Sequence, residues 1–102
     1  MKYRDLEERL IANSVVDRDL GCWLWIGHRS ADGYGQLSIR VGGKVVKRWA
    51  HRVSHEVLKG PIAEGHDVDH MCRINHCINP EHLRERLPSE NRADNQRKRK
   101  NK

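Results

Sequence analysis

The sequence predicts a small α+β fold in a single domain, and three observations carry that prediction. Short runs rich in β-branched and aromatic residues are interleaved with stretches of helical period. Only 36% of the 102 residues are hydrophobic, Phe is absent and 33% are charged, so the core is modest and the chain needs a staple beyond apolar burial. The stretch "VDHMCRINHCINPEHL", residues 68–83, sets three histidines, two cysteines and an aspartate into sixteen positions. Side chains that bind metals or move protons are rarely so dense by accident.

Taken in order, residues 1–20 read as a charged helical segment whose apolar stripe is Tyr3, Leu6, Leu10 and Ile11. Residues 22–60 hold strands, a hairpin and a helix. "CWLWIG" (22–27) reads as a strand and "HRSADGYG" as a loop of turn formers. "QLSIRVGGKVVKRW" reads as a β-hairpin, because Gly42-Gly43 supplies the positive φ angles of a two-residue turn. That register puts Leu37, Ile39 and Val46 on one face, and Gln36, Ser38, Arg40 and Lys47 on the other. "AHRVSHEVLKGPI" reads as a helix with Val53, Val57 and Leu58 inward, stopped by Gly60 and Pro61. In residues 66–96, "HDVDH" is a short strand running into the dense loop and "LRERL" a second one. Pro88 or Ser89 then opens a final helix with Asn91 in its first turn. Residues 97–102 are a basic tail.

The formal charge is +6, unevenly placed. Residues 1–20 carry four basic and five acidic side chains, whereas 92–102 carry six basic and one acidic. That asymmetry calls for a polyanionic partner, nucleic acid first. No stretch approaches the ~18 apolar residues of a membrane span, and "MKYRDLEERL" has no signal-peptide core, so an intracellular, membrane-free protein is expected. Three cysteines suit a metal site in that compartment better than a disulfide framework.

Cys72, Cys77 and His82 are spaced five and five, close enough to converge on one ion, and structural zinc favours thiolate and imidazole donors. A fourth donor is required. Cys22 would use every cysteine and tie the first strand to the loop; His76, beside Cys77, is its rival.

Asp69 and His70 lie just upstream, at the end of a strand, and Asn91 follows Asp69 by 22 residues. Strand, metal loop, strand and helix would bring all three together. With "AHRVSHEVLKGPI", "VDHMC", "CINPEHL" and "SENR", the chain over roughly residues 45–95 resembles the HNH, or His-Me finger, endonucleases, closest to their zinc-stapled phage and intron homing type. The resemblance implies a C-terminal ββα-metal motif stapled by zinc behind the N-terminal hairpin and sheet. It implies His70 as general base, Asp69 and Asn91 as holders of a divalent ion, and Asn79 as the pin of the loop carrying His70. It implies too that Cys22 joins Cys72, Cys77 and His82. The last letter of the HNH name is Asn91 here, an oxygen donor that still serves a hard ion; Asn95, one turn later, is its alternate.

The chemistry agrees. Phosphodiester hydrolysis needs a base for water and positive charge beside the phosphate. A neutral imidazole supplies the first, and Mg²⁺ or Mn²⁺ on few protein oxygens the second. DNA is the expected partner, with no small-molecule cofactor. Arg40, Lys47 and Arg48 would meet it if the hairpin enters a groove, Arg52 near the scissile phosphate, and Arg97, Lys98, Arg99 and Lys100 along the backbone. One site cuts one strand, so a double-strand break requires a homodimer or two binding events. The rivals are a zinc-stapled module that binds nucleic acid without cutting it, and a nuclease acting on RNA.

Overall fold

Leu6 and Leu10, four residues apart on one helical face, begin the fold. The computed structural model describes residues 3–87. In α1 (Tyr3–Ala12) both leucines are buried, while Ile11 is 54% exposed and off the buried stripe. Asn13 ends the helix by donating both its backbone N–H and its side-chain amide to the Arg9 carbonyl. Here the structure departs from a helical segment over 1–20. Residues Ser14–Asp17 form β1, an antiparallel partner of β2 (Cys22–Trp25). Val15 and Val16 are both exposed there, so no apolar alternation marked the strand.

β3 (Gln36–Val41) and β4 (Lys44–Trp49) form the expected hairpin, with positive φ at both Gly42 and Gly43. Ile39 faces Val46 across the ladder and Ser38 faces Lys47, which is the register the alternation demands. Leu37 and Ile39 are buried, but Val46, opposite Ile39, is 40% exposed. The Trp25 indole packs under the start of this hairpin and donates to the His28 carbonyl. A Cβ on Gly35 would sit 2.7 Å from that ring and 3.1 Å from the Ala50 Cβ, so no larger residue fits there.

α2 (Ala50–Leu58) crosses the middle of the molecule. Its buried face differs from the expected Val53, Val57 and Leu58. Val53 is buried and Val57 packs against the core, but Leu58 is only half-buried, and Ala50, His51, Ser54 and His55 are buried as well. Two of these polar residues have partners: Ser54 Oγ donates to the Ile78 carbonyl at 2.6 Å, and His55 Nδ1 donates to the Gly60 carbonyl at 3.0 Å. Such satisfied groups cost little to bury. Gly60, at φ 134, then ends the helix.

β5 (Asp67–His70) pairs antiparallel with β6 (Leu83–Arg86), and a 3₁₀ turn (Pro80–His82) leads into β6. The architecture is α+β, its sheets two-stranded and antiparallel among the described residues. One core of Leu6, Leu10, Trp25, Leu37, Ile39, Ala50, Val53 and Ile78 joins both helices, the hairpin and the β5–β6 connection. The final helix expected from Pro88 or Ser89, with Asn91 and Asn95, and the basic tail lie outside the described residues.

Candidate metal centre and active site

Backbone hydrogen bonds bring the dense loop against the first sheet. Trp25 N–H donates to the His76 carbonyl and Ile78 N–H to the Trp23 carbonyl, both at 2.8 Å. This lays β2 beside residues 76–78 and sets Cys22 against Cys77. The donor atoms of Cys22, Cys72, Cys77 and His82 all lie within 4.8 Å of one another. His82 presents Nδ1, 3.6 Å from the Cys22 sulfur and 3.5 Å from that of Cys77. A tetrahedral ion with zinc-like bond lengths separates its donors by about 3.4–3.8 Å, so the set fits such an ion. Cys22 and Cys77 are fully buried, and burial is the largest cause pushing both thiols up. Sealed thiols shed their protons together only where a cation replaces them, so the donor chemistry agrees with the geometry. His76 stands outside the group.

Asn79 locks the loop: its Oδ1 accepts from Glu81 N–H at 3.0 Å and its Nδ2 donates to the Gly21 carbonyl at 2.6 Å. One side chain thus ties the turn that carries His82 to the residue before Cys22.

The other side of the loop opens on a cleft of about 450 Å³ lined by Tyr34, Trp49, His51, Arg52, Asp69, His70, Arg73 and Arg84, among others. His70, the last residue of β5, is 7% exposed. Its Nε2–H donates to the Cys77 carbonyl at 3.0 Å, which leaves Nδ1 as the lone-pair nitrogen. Burial lowers its pKa from the ordinary imidazole value, opposed by that hydrogen bond and by Asp69, and so favours the neutral ring. Asp69 lines the same cleft, with Oδ2 accepting from Arg84 Nε and Nη2 at 3.2 Å and forming an ion pair with Arg86 Nη1 at 3.8 Å. A buried imidazole of fixed tautomer, beside a carboxylate and arginines, has the makings of a phosphate-handling site.

Residues 48–93 match the HNH endonuclease family. Over that segment the chain is similar to HNH endonucleases. The chain is 38% identical over 90 residues to "Protein 2.8" of Escherichia phage T7, covering 88% of this chain and 59% of that protein. It is 41% identical over 66 residues to the "Uncharacterized gene 5.3 protein" of Enterobacteria phage T3, covering 62% of this chain and 65% of that one. It is 36% identical over 73 residues to "Protein 7.7" of phage T7, covering 72% and 53%. The chain therefore spans between half and two-thirds of the length of these phage relatives. No solved structure matches it significantly.

Cys22 and Tyr34 come from outside the matched segment, so the N-terminal half completes both the donor set and the cleft wall. Arg52 does line the cleft, its Nη1 3.5 Å from the His66 carbonyl. Arg48 is held by both oxygens of Glu56 at 2.8 and 2.9 Å, which fastens β4 to α2. Arg40 and Lys47 are exposed on the outer face of the hairpin. Asn91 and the tail residues Arg97, Lys98, Arg99 and Lys100 lie outside the described residues.

Sequence reasoning had not singled out Tyr34, Trp49, His51, Arg73 or Arg84 as site residues. Tyr34, His51 and His70 form a ring cluster, the two imidazoles 4.6 Å apart between centroids and the phenol 5.6 and 5.9 Å from them. Burial, with His70 and Arg52 nearby, pushes His51 down to about 3. Arg73 has φ 64, a conformation that is uncommon for a residue with a side chain and costs it roughly 1 kcal/mol. The adjacent His51-Arg52 pair was the one available signal. Tyr34 had none, since turn formers around it reveal a loop but not what the loop faces.

Proposed function

We propose that this chain is a metal-dependent DNA endonuclease that hydrolyses phosphodiester bonds with His70 as general base. The observation that carries this reading is the His70 ring itself. Burial favours its neutral form, its Nε2–H is spent on the Cys77 carbonyl, and its Nδ1 lone pair remains in a cleft walled by Arg52, Arg73 and Arg84. Nδ1 takes a proton from water as the water oxygen bonds to phosphorus, and the bond to the leaving sugar oxygen breaks. The arginines attract the phosphate and offset its charge. Asp69 and Asn91 are the residues that would hold a divalent ion. Arg84 and Arg86 both pair with Oδ2 of Asp69. Bound by Asp69 and Asn91, Mg²⁺ or Mn²⁺ would place positive charge beside the leaving oxygen.

Zinc is the ion assigned to Cys22, Cys72, Cys77 and His82, in a structural role: four protein donors leave no open position for a substrate. The match to the HNH endonuclease family supports an enzyme that acts on nucleic acid, and the phage relatives support action inside a host cell. No helix of the described residues is long and apolar enough to cross a membrane.

Incubation with supercoiled plasmid, with and without added Mg²⁺, tests the reading. Metal-dependent conversion to nicked or linear forms is the expected result. Binding without cutting would make the chain a nucleic-acid-binding module, and cutting of RNA alone would change the substrate.

A further inference from the structure

His51 begins α2 beside Arg52 and is 8% exposed. Its Nδ1 is sealed from solvent and has no hydrogen-bond partner among the described residues. The exposure that remains belongs to a ring lining the cleft, packed against Tyr34 and His70. Ser54 and His55, the other polar residues buried on this helix face, each have a carbonyl to satisfy them, so His51 stands apart.

Burial keeps His51 neutral, and a neutral imidazole carries a single N–H. A hydrogen on Nδ1 would be a donor orphaned inside the protein, a rare and costly arrangement. The better-satisfied tautomer carries it on Nε2, the nitrogen that is not sealed. His70 is the complement: its Nε2–H is committed to Cys77, and it offers the cleft a lone pair. Two imidazoles 4.6 Å apart thus present one acceptor and one donor. Water would use the acceptor. The donor wants an anionic oxygen, and Arg52, next in the chain and in the same wall, wants one too.

We propose that His51 is a substrate-binding residue whose Nε2–H donates to a non-bridging oxygen of the nucleic-acid phosphate seated in the cleft. The identity of that ligand rests on the nuclease reading; the donor role rests on the ring's own geometry.

The test uses the zinc-loaded full chain labelled with ¹⁵N-histidine, titrated with a duplex DNA oligonucleotide in Ca²⁺ to prevent cutting. Cleavage of plasmid in Mg²⁺ is measured in parallel for wild type, His51→Phe and His51→Gln. A hydrogen bond to a charged acceptor is worth roughly 10- to 100-fold. The His51 Nε2–H resonance should shift downfield on saturation, His51→Phe should lose that factor in oligonucleotide affinity, and the Gln amide should restore part of it. An unmoved resonance under saturating DNA overturns the proposal, as does a His51→Phe protein that binds like wild type. Equal losses in the Phe and Gln variants with an unmoved resonance make His51 a packing residue only. Should His51→Phe fail to fold, the resonance and His51→Gln still decide. A shifted resonance in a protein that never cuts plasmid would uphold the donor and refute the nuclease reading. Cutting with an unmoved resonance would do the reverse.

Discussion

On one side of the connection between β5 and β6, Cys72, Cys77 and His82 turn inward to meet Cys22. On the other, His70 and Asp69 line an open cleft. The two sides use the same kind of residue differently. His82 presents Nδ1 to two sulfurs, whereas His70 spends Nε2 on a carbonyl and keeps Nδ1 for the cleft. Cys77 belongs to both: its sulfur joins the donor cluster and its carbonyl holds the His70 ring. A closed set of four donors suits a staple, and an open wall with one free lone pair suits proton transfer. The difference teaches that partner and tautomer, more than residue type, assign a histidine its task.

Removing the metal should break the comparison most severely. Structural zinc in small domains contributes folding free energy of about 10 kcal/mol or more, and this core is small. Chelation should abolish the far-ultraviolet circular dichroism and near-ultraviolet signals together, and added zinc should restore them. About one zinc per chain is expected by elemental analysis. A folded protein free of zinc, with unchanged melting temperature, would dismiss the staple. Loss of the ion on Cys22→Ser is expected too, because His76 stands outside the donor group.

If the proposed role of Asn91 as a ligand of a divalent ion holds, Asn91→Ala should be an activity defect with the fold intact. Raising Mg²⁺ should recover part of the rate. If Asn95→Ala shows that pattern instead, the ligand is Asn95.

Asn79→Ala would sharpen the comparison, because Asn79 ties the staple together without touching the cleft. It removes hydrogen bonds to Gly21 and Glu81, so a loss of about 1–3 kcal/mol in stability and weaker zinc retention should appear in thermal melts. Arg48 and Arg40 make a finer contrast within one hairpin. Arg48→Ala should cost no more than about 1 kcal/mol, since its pair with Glu56 is partly exposed. Arg40→Ala should leave stability unchanged and weaken DNA binding. Deleting residues 97–102 should have the smallest effect, a shallower dependence of affinity on salt.

Much of this was legible before any coordinates. Gly42-Gly43 between β-branched runs specifies a hairpin and its register, because few other residues tolerate both positive φ angles. The donor set was nearly readable, because the spacing of Cys72, Cys77 and His82 restricts geometry locally. Choosing between Cys22 and His76 needed the backbone bonds from β2 to residues 76–78. Less legible were residues whose roles depend on distant partners. Ser54 and His55 are buried because carbonyls of Ile78 and Gly60 await them, which no helical period reveals. Arg48 resembles Arg40 and Lys47 in sequence, yet Glu56, eight residues on, claims it. β1 is not legible in the sequence because its valines face solvent.

The central claim is that one loop is stapled by metal on one side and takes a proton on the other. His70→Ala, loaded with zinc and compared with wild type on supercoiled plasmid in Mg²⁺, tests it most directly. Cleavage should fall by about 10²–10⁴, the usual worth of a general base, with zinc content and circular dichroism unchanged. A folded, zinc-loaded His70→Ala protein that cuts at the wild-type rate would contradict the claim and leave the loop as a staple alone.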